Sequence, residues 1–315
     1  MKIALIDVDG HNFPNLPLMK LSAWHKSKGH EVFMYSPLFS PPADIAYMSK
    51  VFDFTEDYPY PVKAGYVHKG GTGYGDFNTM LAPEIEHCMP DYGLYGIKDT
   101  AYGFLTRGCP RGCPFCIVAK KEGRKSRKVA DLKEFWNGQK EIVLLDPNLL
   151  ACDQREDLLC QLAESNALID FSQGVDARLL DNDVVNILSK IRIKRVHFAW
   201  DNVSDEKKIL PKLQMYQQKT GANRHNTTVY ILTNFYSTIE QDLYRINKIR
   251  KMNLRPYVMV YDKANADKTH KDLQRWCNNG YVFYSEENFY KYKKTQQGEM
   301  KNDRNTVFKK CRQNY

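Results

Sequence analysis

The sequence predicts an α/β protein: an N-terminal Rossmann-like parallel sheet followed by a partial (β/α)6 barrel of the TIM type. Three observations predict it. Short apolar runs alternate with segments of helical periodicity, first over residues 1–95 and again over 96–262. Each strand of the second series ends in polar residues directly after its apolar run. Its six strand-then-helix units are too few for a closed eightfold barrel, which leaves a curved, open one.

The first strand is Lys2–Asp7, followed by the loop Asp7-Val-Asp-Gly-His-Asn-Phe-Pro14. A helix is expected from about Asn15 to Lys28, with Leu18, Leu21 and Trp24 on one side and Gly29 as its stop. His30–Tyr35, Ile45–Phe54 and Ala64–His68 read as further strands. The last runs into Gly70-Gly-Thr-Gly-Tyr-Gly75, where the backbone can approach a ligand closely. In such a sheet, ligands sit at the carboxyl ends of the strands. Residues 83–100 read as a linker with one short helix.

The second series places strands at Tyr102–Leu105, Glu141–Leu145, Leu168–Ser172, Arg195–Trp200, Thr227–Thr233 and Arg255–Tyr261. Asp153-Gln-Arg-Glu156 reads as a capping box before Leu158, Leu159 and Leu162, and Thr238-Ile-Glu-Gln241 as another before Leu243, Ile246 and Ile249. Asp181 or Asn182 caps the helix between them. The polar strand ends are the cysteine loop, Asp146-Pro-Asn148, Gln173-Gly-Val-Asp176-Ala-Arg178, Asp201-Asn202, Thr233-Asn234 and Tyr261-Asp262. Barrels of parallel strands keep their active sites at this end. Residues 263–315 form a basic, aromatic-rich C-terminal extension. Its Trp276, Tyr281, Phe283, Tyr284, Phe289, Tyr290 and Tyr292 stand among lysines, ready either to stack bases or to pack over a core.

The most specific motif is Cys109-x3-Cys113-x2-Cys116. Three thiolates this close can hold three irons of a four-iron cluster, leaving the fourth iron open to a ligand. Gly108, Pro110, Gly112 and Pro114 prevent a regular helix and let the loop curl. A closed zinc site needs a fourth ligand, and no Cys or His lies close downstream to supply it.

This loop resembles the cluster loop of the radical S-adenosylmethionine (SAM) superfamily. The resemblance implies a [4Fe-4S] cluster on Cys109, Cys113 and Cys116, with SAM chelating the open iron through its amino and carboxylate groups. Reductive cleavage of SAM then yields methionine and a 5′-deoxyadenosyl radical that abstracts hydrogen from a substrate. It also places Phe115, the residue before the third cysteine, near the adenine. Asp146-Pro-Asn148 stands where the family usually carries a Gly-Gly-Glu-like segment that grips the methionine amino group. Gln173, Asp176, Arg178 and Asp201 are the candidates for the ribose and the methionine carboxylate, a planar guanidinium being well suited to the latter. The family further implies an electron donor such as flavodoxin or ferredoxin.

Residues 1–95 are similar to the cobalamin-binding domain that precedes many radical SAM cores. In mutases such a domain carries Asp-x-His-x-x-Gly after the first strand, with the His on cobalt. Here the segment is Asp9-Gly-His11-Asn-Phe-Pro14, with Pro14 in place of the glycine. Gly70 and Gly71 correspond to the later Gly-Gly, and Ser49-Lys-Val51 to Ser-x-Leu. If cobalamin binds, the resemblance implies methyl transfer to an unactivated carbon. A degenerate domain used for shape or partner contact is the alternative.

After the cluster, Gly123-Arg-Lys-Ser-Arg127 is similar to a stretch of tRNA methylthiotransferases, one residue tighter. It keeps nucleic acid open as a partner and an RNA-modifying radical enzyme as an alternative. Those enzymes carry three further cysteines in their N-terminal domain, where this chain has only Cys88, and a C-terminal RNA-binding barrel that is not recognisable here. A non-catalytic iron–sulfur binding or sensing protein would not need so polar a set of strand ends.

Composition agrees with a folded protein in a reducing compartment. The chain has 315 residues, 43% of them hydrophobic, and a net charge of +9, a mild attraction to polyanions. No apolar run is long enough to span a bilayer, the N-terminus reads as a buried strand rather than a signal peptide, and the other cysteines are scattered. The expectation is a cytoplasmic protein with no membrane partner.

Overall fold

Ile3, Ala4, Leu5 and Ile6 are all buried, which makes β1 (Lys2–Asp7) an inner strand. The computed structural model describes residues 1–10, 13–77 and 79–295. The chain divides into two units, residues 1–196 and 197–315.

The first unit opens with a four-stranded parallel sheet in the order β2-β1-β3-β4, with β2 at Glu31–Met34, β3 at Ala43–Ser49 and β4 at Ala64–Gly70. Helix α1 (Leu16–Ser27) crosses from β1 to β2. Asn15 caps it by accepting from the Leu18 N–H at 3.3 Å, and Pro17 sits in its first turn. Leu18 and Leu21 pack on Ile3 and Leu5. The other face of the sheet is closed by Phe33, Tyr35 and Val62 over Ala4, Ala43 and Ala46.

Strand β3 ends at Ser49, short of the expected Phe54. The Asp9 carboxylate accepts from the N–H groups of Val51 (2.6 Å) and Phe52 (3.3 Å), and this turns the chain out of the sheet. A short helix α2 (Pro83–Glu86) follows β4. Helix α2 and the segment after it are tied back to β1 and α1: Tyr95 donates to Asp7 at 2.7 Å, Ser22 to Asp91 at 2.6 Å, and Lys20 pairs with Glu86 at 2.7 Å.

The second series begins with β5 (Thr100–Gly103). An antiparallel pair follows, β6 (Thr106–Arg107) and β7 (Arg127–Lys128), with α3 (Val118–Glu122) between them. Then come β8 (Glu141–Leu144), α4 (Arg155–Ser165), β9 (Leu168–Phe171), α5 (Asn182–Leu188) and β10 (Ile193–Ala199), in which the unit boundary falls. The second unit continues with α6 (Glu206–Thr220), β11 (Thr227–Thr233), α7 (Ile239–Lys251) and β12 (Arg255–Val260). Among the described residues the strand order is β12-β11-β10-β9-β8-β5, an open run of six strands, and β5 with β8, β8 with β9, β9 with β10 and β11 with β12 pair in parallel. This is the open (β/α) sheet that the sequence predicted.

The caps sort by whether the turn before the helix lets them act. Asp181 caps α5 by accepting from the Val184 N–H, and Thr238 with Gln241 forms the expected capping box of α7. Asp153 does not cap α4. Arg155 N–H bonds to the Cys152 carbonyl, so the helix starts after Gln154 and Asp153 stays in solvent. Helix α6 follows Asp205 at its N-cap position and contains Pro211, yet Ile209, Leu213 and Tyr216 bury at helical spacing.

The described part of the basic C-terminal extension, residues 263–295, packs inside the second unit. Helices α8 (Lys268–Asn278) and α9 (Gly280–Ser285) bury Trp276 and Phe283, and Phe289 and Tyr292 are buried with them. Arg250 lies 3.6 Å from the centre of the Phe283 ring. Of the two readings of these aromatics, packing holds for those four, while Tyr281 and Tyr290 stay exposed. Among the described residues no helix is long and apolar enough to cross a membrane.

Candidate functional site

The cysteine loop is carried between β6 and β7 of the first unit, and short-range bonds shape it. Gly108 has φ +89°, and a Cβ there would lie 2.2 Å from the Lys125 carbonyl oxygen. Only glycine allows the two arms to close on each other at this point. Glu122 holds the same corner, accepting from Gly108 N–H (3.1 Å) and Arg107 (3.0 Å). Cys109 N–H bonds to the Gly123 carbonyl at 3.2 Å, and Cys116 N–H bonds to the Cys113 carbonyl at 2.9 Å. Cys109 and Cys113 are half-buried and Cys116 is exposed. Among the described residues, no three His, Cys, Asp or Glu side chains are gathered for a single metal ion. Thiolates that each take a separate iron of a cluster need not be.

The segment after β8 is bonded to this loop at three points. Asp146 is buried, and its carboxylate accepts from Leu105 N–H (3.2 Å), from Thr106 N–H and from the Thr106 hydroxyl (2.7 Å). Because Leu105 N–H is used this way, β5 ends at Gly103 rather than at the expected Leu105. Burial pushes the Asp146 carboxyl up from 3.8 to about 6, against the opposing pull of these hydrogen bonds. Ser126 donates its hydroxyl to the Asn148 carbonyl at 2.9 Å. The Asn148 Nδ2 donates to Cys109 Sγ at 3.4 Å. Asn148 is 3% exposed, and its Oδ1 is buried without a hydrogen-bond partner.

The two residues expected to grip a ligand amine therefore differ. Asp146 spends both carboxylate oxygens on the chain that leads into the cysteine loop, which makes it a positioning residue. Asn148 keeps an acceptor open beside the first cysteine.

Asp176 and Arg178, expected to face the ribose and a carboxylate, are bonded to each other. Arg178 Nε donates to Asp176 at 2.7 Å. Arg111, from between the first two cysteines, donates to the other Asp176 oxygen at 2.5 Å. Burial raises the Asp176 carboxyl, but the hydrogen bonds from Arg178 and Arg111 outweigh it and hold the group below the usual range. Asp176 thus moors the cysteine loop to the turn after β9. Gln173 is exposed in that turn, Phe115 is half-buried in the cysteine loop, and Asp201 is half-buried after β10 in the second unit. Arg111, Glu122 and Thr106 were not singled out from the sequence, and Ser126 only as part of the Gly123–Arg127 stretch. A lone acid in Lys120-Lys-Glu-Gly-Arg-Lys125 was the signal available for Glu122.

Beside the loop lies a cleft of about 620 Å3, bounded by Pro110, Arg111, Leu150, Cys152, Arg155 and Leu179 among others. The surface around the loop is strongly basic. Residues 107–128 hold eight Lys and Arg against one Glu, a net +7 of the chain's +9.

In the N-terminal sheet, Gly71 has φ +102°, and a Cβ on it would stand 2.3 Å from the Lys50 carbonyl oxygen. Its missing side chain is explained by its own chain, so the expected close approach of a ligand to Gly71 is not needed to account for it. Gly70 accepts from Lys50 N–H at 3.1 Å and has open space on its Cβ side. His11 lies outside the described residues. The loops after β1, β2 and β3, all at the carboxyl edge, expose Phe13, Leu38, Phe39, Phe52 and Phe54, with Phe39 87% exposed. Phe52 and Phe54 stack with ring centres 5.1 Å apart.

Solved structures carry the comparison. The radical SAM methyltransferase TsrM from Kitasatospora setae, solved with cobalamin and a [4Fe-4S] cluster bound, overlays with a TM-score of 0.59 at 11% identity, covering 82% of this chain and 74% of that one. The chain shares the fold of that structure. SuiB from Streptococcus suis, solved with the precursor peptide SuiA or with SAM, gives a TM-score of 0.44 in both structures, at 12% and 13% identity. Those overlays cover 60% of this chain and 46% and 48% of SuiB. No family model matches the sequence, and no curated protein matches it. At this identity the likeness to the radical SAM fold rests on architecture, and the site must be argued from its own residues.

Proposed function

We propose that the protein is a radical SAM enzyme whose cysteine loop holds a [4Fe-4S] cluster, and that it transfers a methyl group to a carbon of its substrate. The observation that carries this reading is the unpartnered, buried Oδ1 of Asn148 beside Cys109. A buried acceptor left unpaired costs about 1–3 kcal/mol, and an N–H of a ligand recovers it. A three-thiolate loop with one acceptor waiting next to its first cysteine suits a cluster whose fourth iron takes an amine-bearing ligand.

When bound, a reduced cluster supplies the electron that splits SAM into methionine and a 5′-deoxyadenosyl radical. The chain's own residues hold and orient. Cys109, Cys113 and Cys116 are the cluster ligands. Asn148 Oδ1 accepts from the SAM amino group. Asp146, Ser126, Glu122 and the Arg111–Asp176–Arg178 group keep the loop in one shape, so the ligand meets a preformed site. Phe115 is assigned to cover the adenine. Arg178 lies in the same group and is 26% exposed, so it can turn part of its fork to a carboxylate.

The corrin of cobalamin is assigned to the carboxyl edge of the N-terminal sheet. In the order β2-β1-β3-β4 the strand order reverses between β1 and β3, the place where open α/β sheets bind ligands. The exposed aromatics of those loops suit a broad, flat, largely apolar ring. Electrons are assigned to an acidic protein donor of the flavodoxin or ferredoxin kind, because the surface around the cluster loop carries +7.

The test is anaerobic reconstitution with iron, sulfide and hydroxocobalamin, followed by metal analysis and a spectrum. Four irons and one cobalamin per chain are expected. Four irons without cobalamin would remove the methyl-transfer part. No four-iron cluster would overturn the reading as a whole.

A further inference from the structure

The Asn148 amide faces two ways, and each end meets something different. Nδ2 donates to Cys109 Sγ at 3.4 Å. Oδ1 is buried with no partner. With Cys109 bound to a cluster iron this orientation is the favoured one, because the reverse would set a carbonyl oxygen against a sulfur that has no proton to donate. The amide also cannot follow the sulfur outward. Its own carbonyl is held by Ser126, and Asp146, two residues before it, is bonded to Leu105 and Thr106.

We propose that Asn148 sets the reduction potential of the cluster and couples it to SAM occupancy. This rests on the cluster assignment made under Proposed function. One electron from an external low-potential donor reduces the cluster, with no bond made or broken and no proton moved. The added charge is shared with the ligand sulfurs. An N–H aimed at Cys109 Sγ stabilises the reduced form more than the oxidised one and raises the potential. Burial strengthens the effect, since water does not screen the bond.

The other end supplies the coupling. An amine at Oδ1 locks the amide with Nδ2 on the sulfur and polarises the N–H. A bound ligand therefore makes the cluster easier to reduce, and reduction must tighten the ligand by the same factor. One side chain would then favour reduction when SAM is in place.

The experiment is a redox titration of the reconstituted protein and of Asn148→Leu, monitored by electron paramagnetic resonance, with and without SAM. Leucine keeps the volume and removes both ends of the amide. Four irons are expected in both proteins. At a fixed solution potential the reduced-to-oxidised ratio of the variant should fall about tenfold, a shift of about 59 mV for one electron. The displacement caused by SAM should shrink in the variant. A complete cluster in Asn148→Leu with the wild-type potential and the wild-type response to SAM overturns the inference and leaves the cluster assignment standing. If Asn148→Leu fails to hold iron, Asn148→Asp is titrated instead. It keeps the shape, loses the donor and adds a negative charge, so its potential must fall; an unchanged potential overturns the inference. A wild-type protein with no four-iron cluster overturns the reading on which this one rests, and this one with it.

Discussion

Replacing Asp146 by asparagine separates two opposing effects of one buried carboxylate. Oδ1 accepts both bonds from Thr106, and Oδ2 accepts from the Leu105 N–H at 3.2 Å. Asparagine keeps an acceptor for Thr106 but turns an NH2 toward Leu105. A buried N–H then goes unpaired, a loss of about 1–3 kcal/mol. Against this, the variant no longer buries a charge. The carboxyl lies at about 6 in the folded protein instead of 3.8. Two units correspond to about 3 kcal/mol. The sign follows from the direction of the shift. A folded-state value above the unfolded one means that this group's contribution is fully present below about pH 4 and is lost as the pH rises through about 6. Linkage then moves the stability difference between variant and wild type by about 1.4 kcal/mol in the variant's favour between pH 5 and pH 8. Urea unfolding of the metal-free proteins at the two pH values measures it. A difference that does not change with pH would refute the reasoning, because the residue would then not be a buried carboxylate with a raised affinity for its proton.

Four further variants test the loop and its surface. Gly108→Ala should abolish iron uptake, since its Cβ would stand 2.2 Å from the Lys125 oxygen. Gly138→Ala, at φ +85° with nothing within 4 Å, should cost only about 1–2 kcal/mol of stability and leave iron content unchanged. Asp176→Asn should lower stability by about 1–3 kcal/mol at pH 7, where two arginines lose a charged partner. Its folded-state value is depressed, so this contribution is present above about pH 4 and fades in acid, and unfolding at pH 7 and pH 3.5 should show the gap closing. Reversing Lys120, Lys121, Arg124 and Lys125 to glutamate should slow cluster reduction by an acidic flavoprotein at least tenfold at low salt, while reduction by dithionite stays as in wild type. Equal slowing by both reductants would place the effect in the cluster rather than in docking.

How much of this could be read beforehand followed sequence distance. The cysteine motif spans eight residues and the strand ends follow their own apolar runs, so both are local patterns. The open (β/α) sheet came from the same alternation. What could not be read depends on groups brought together by folding. Arg111 meets Asp176 from 65 positions away, and Asp146 reaches Thr106 across 40. Sequence marks such residues as polar strand ends without saying whether they serve a ligand or the chain. Gly71 shows the same ambiguity, since a glycine needed by a neighbouring carbonyl reads like one needed by a ligand. Asp153 has the spacing of a cap, but the turn at Cys152 takes its place. Helix α6 carries Pro211 inside it, and its three buried apolar residues override that local preference.

The most direct test of the central claim is SAM cleavage by the reconstituted, dithionite-reduced protein, with 5′-deoxyadenosine measured by mass spectrometry. The variant with Cys109, Cys113 and Cys116 all changed to alanine serves as the reference. The account predicts 5′-deoxyadenosine from the wild type and none from the variant. A wild-type protein that holds four irons, binds SAM and its substrate, and still releases no 5′-deoxyadenosine would contradict it.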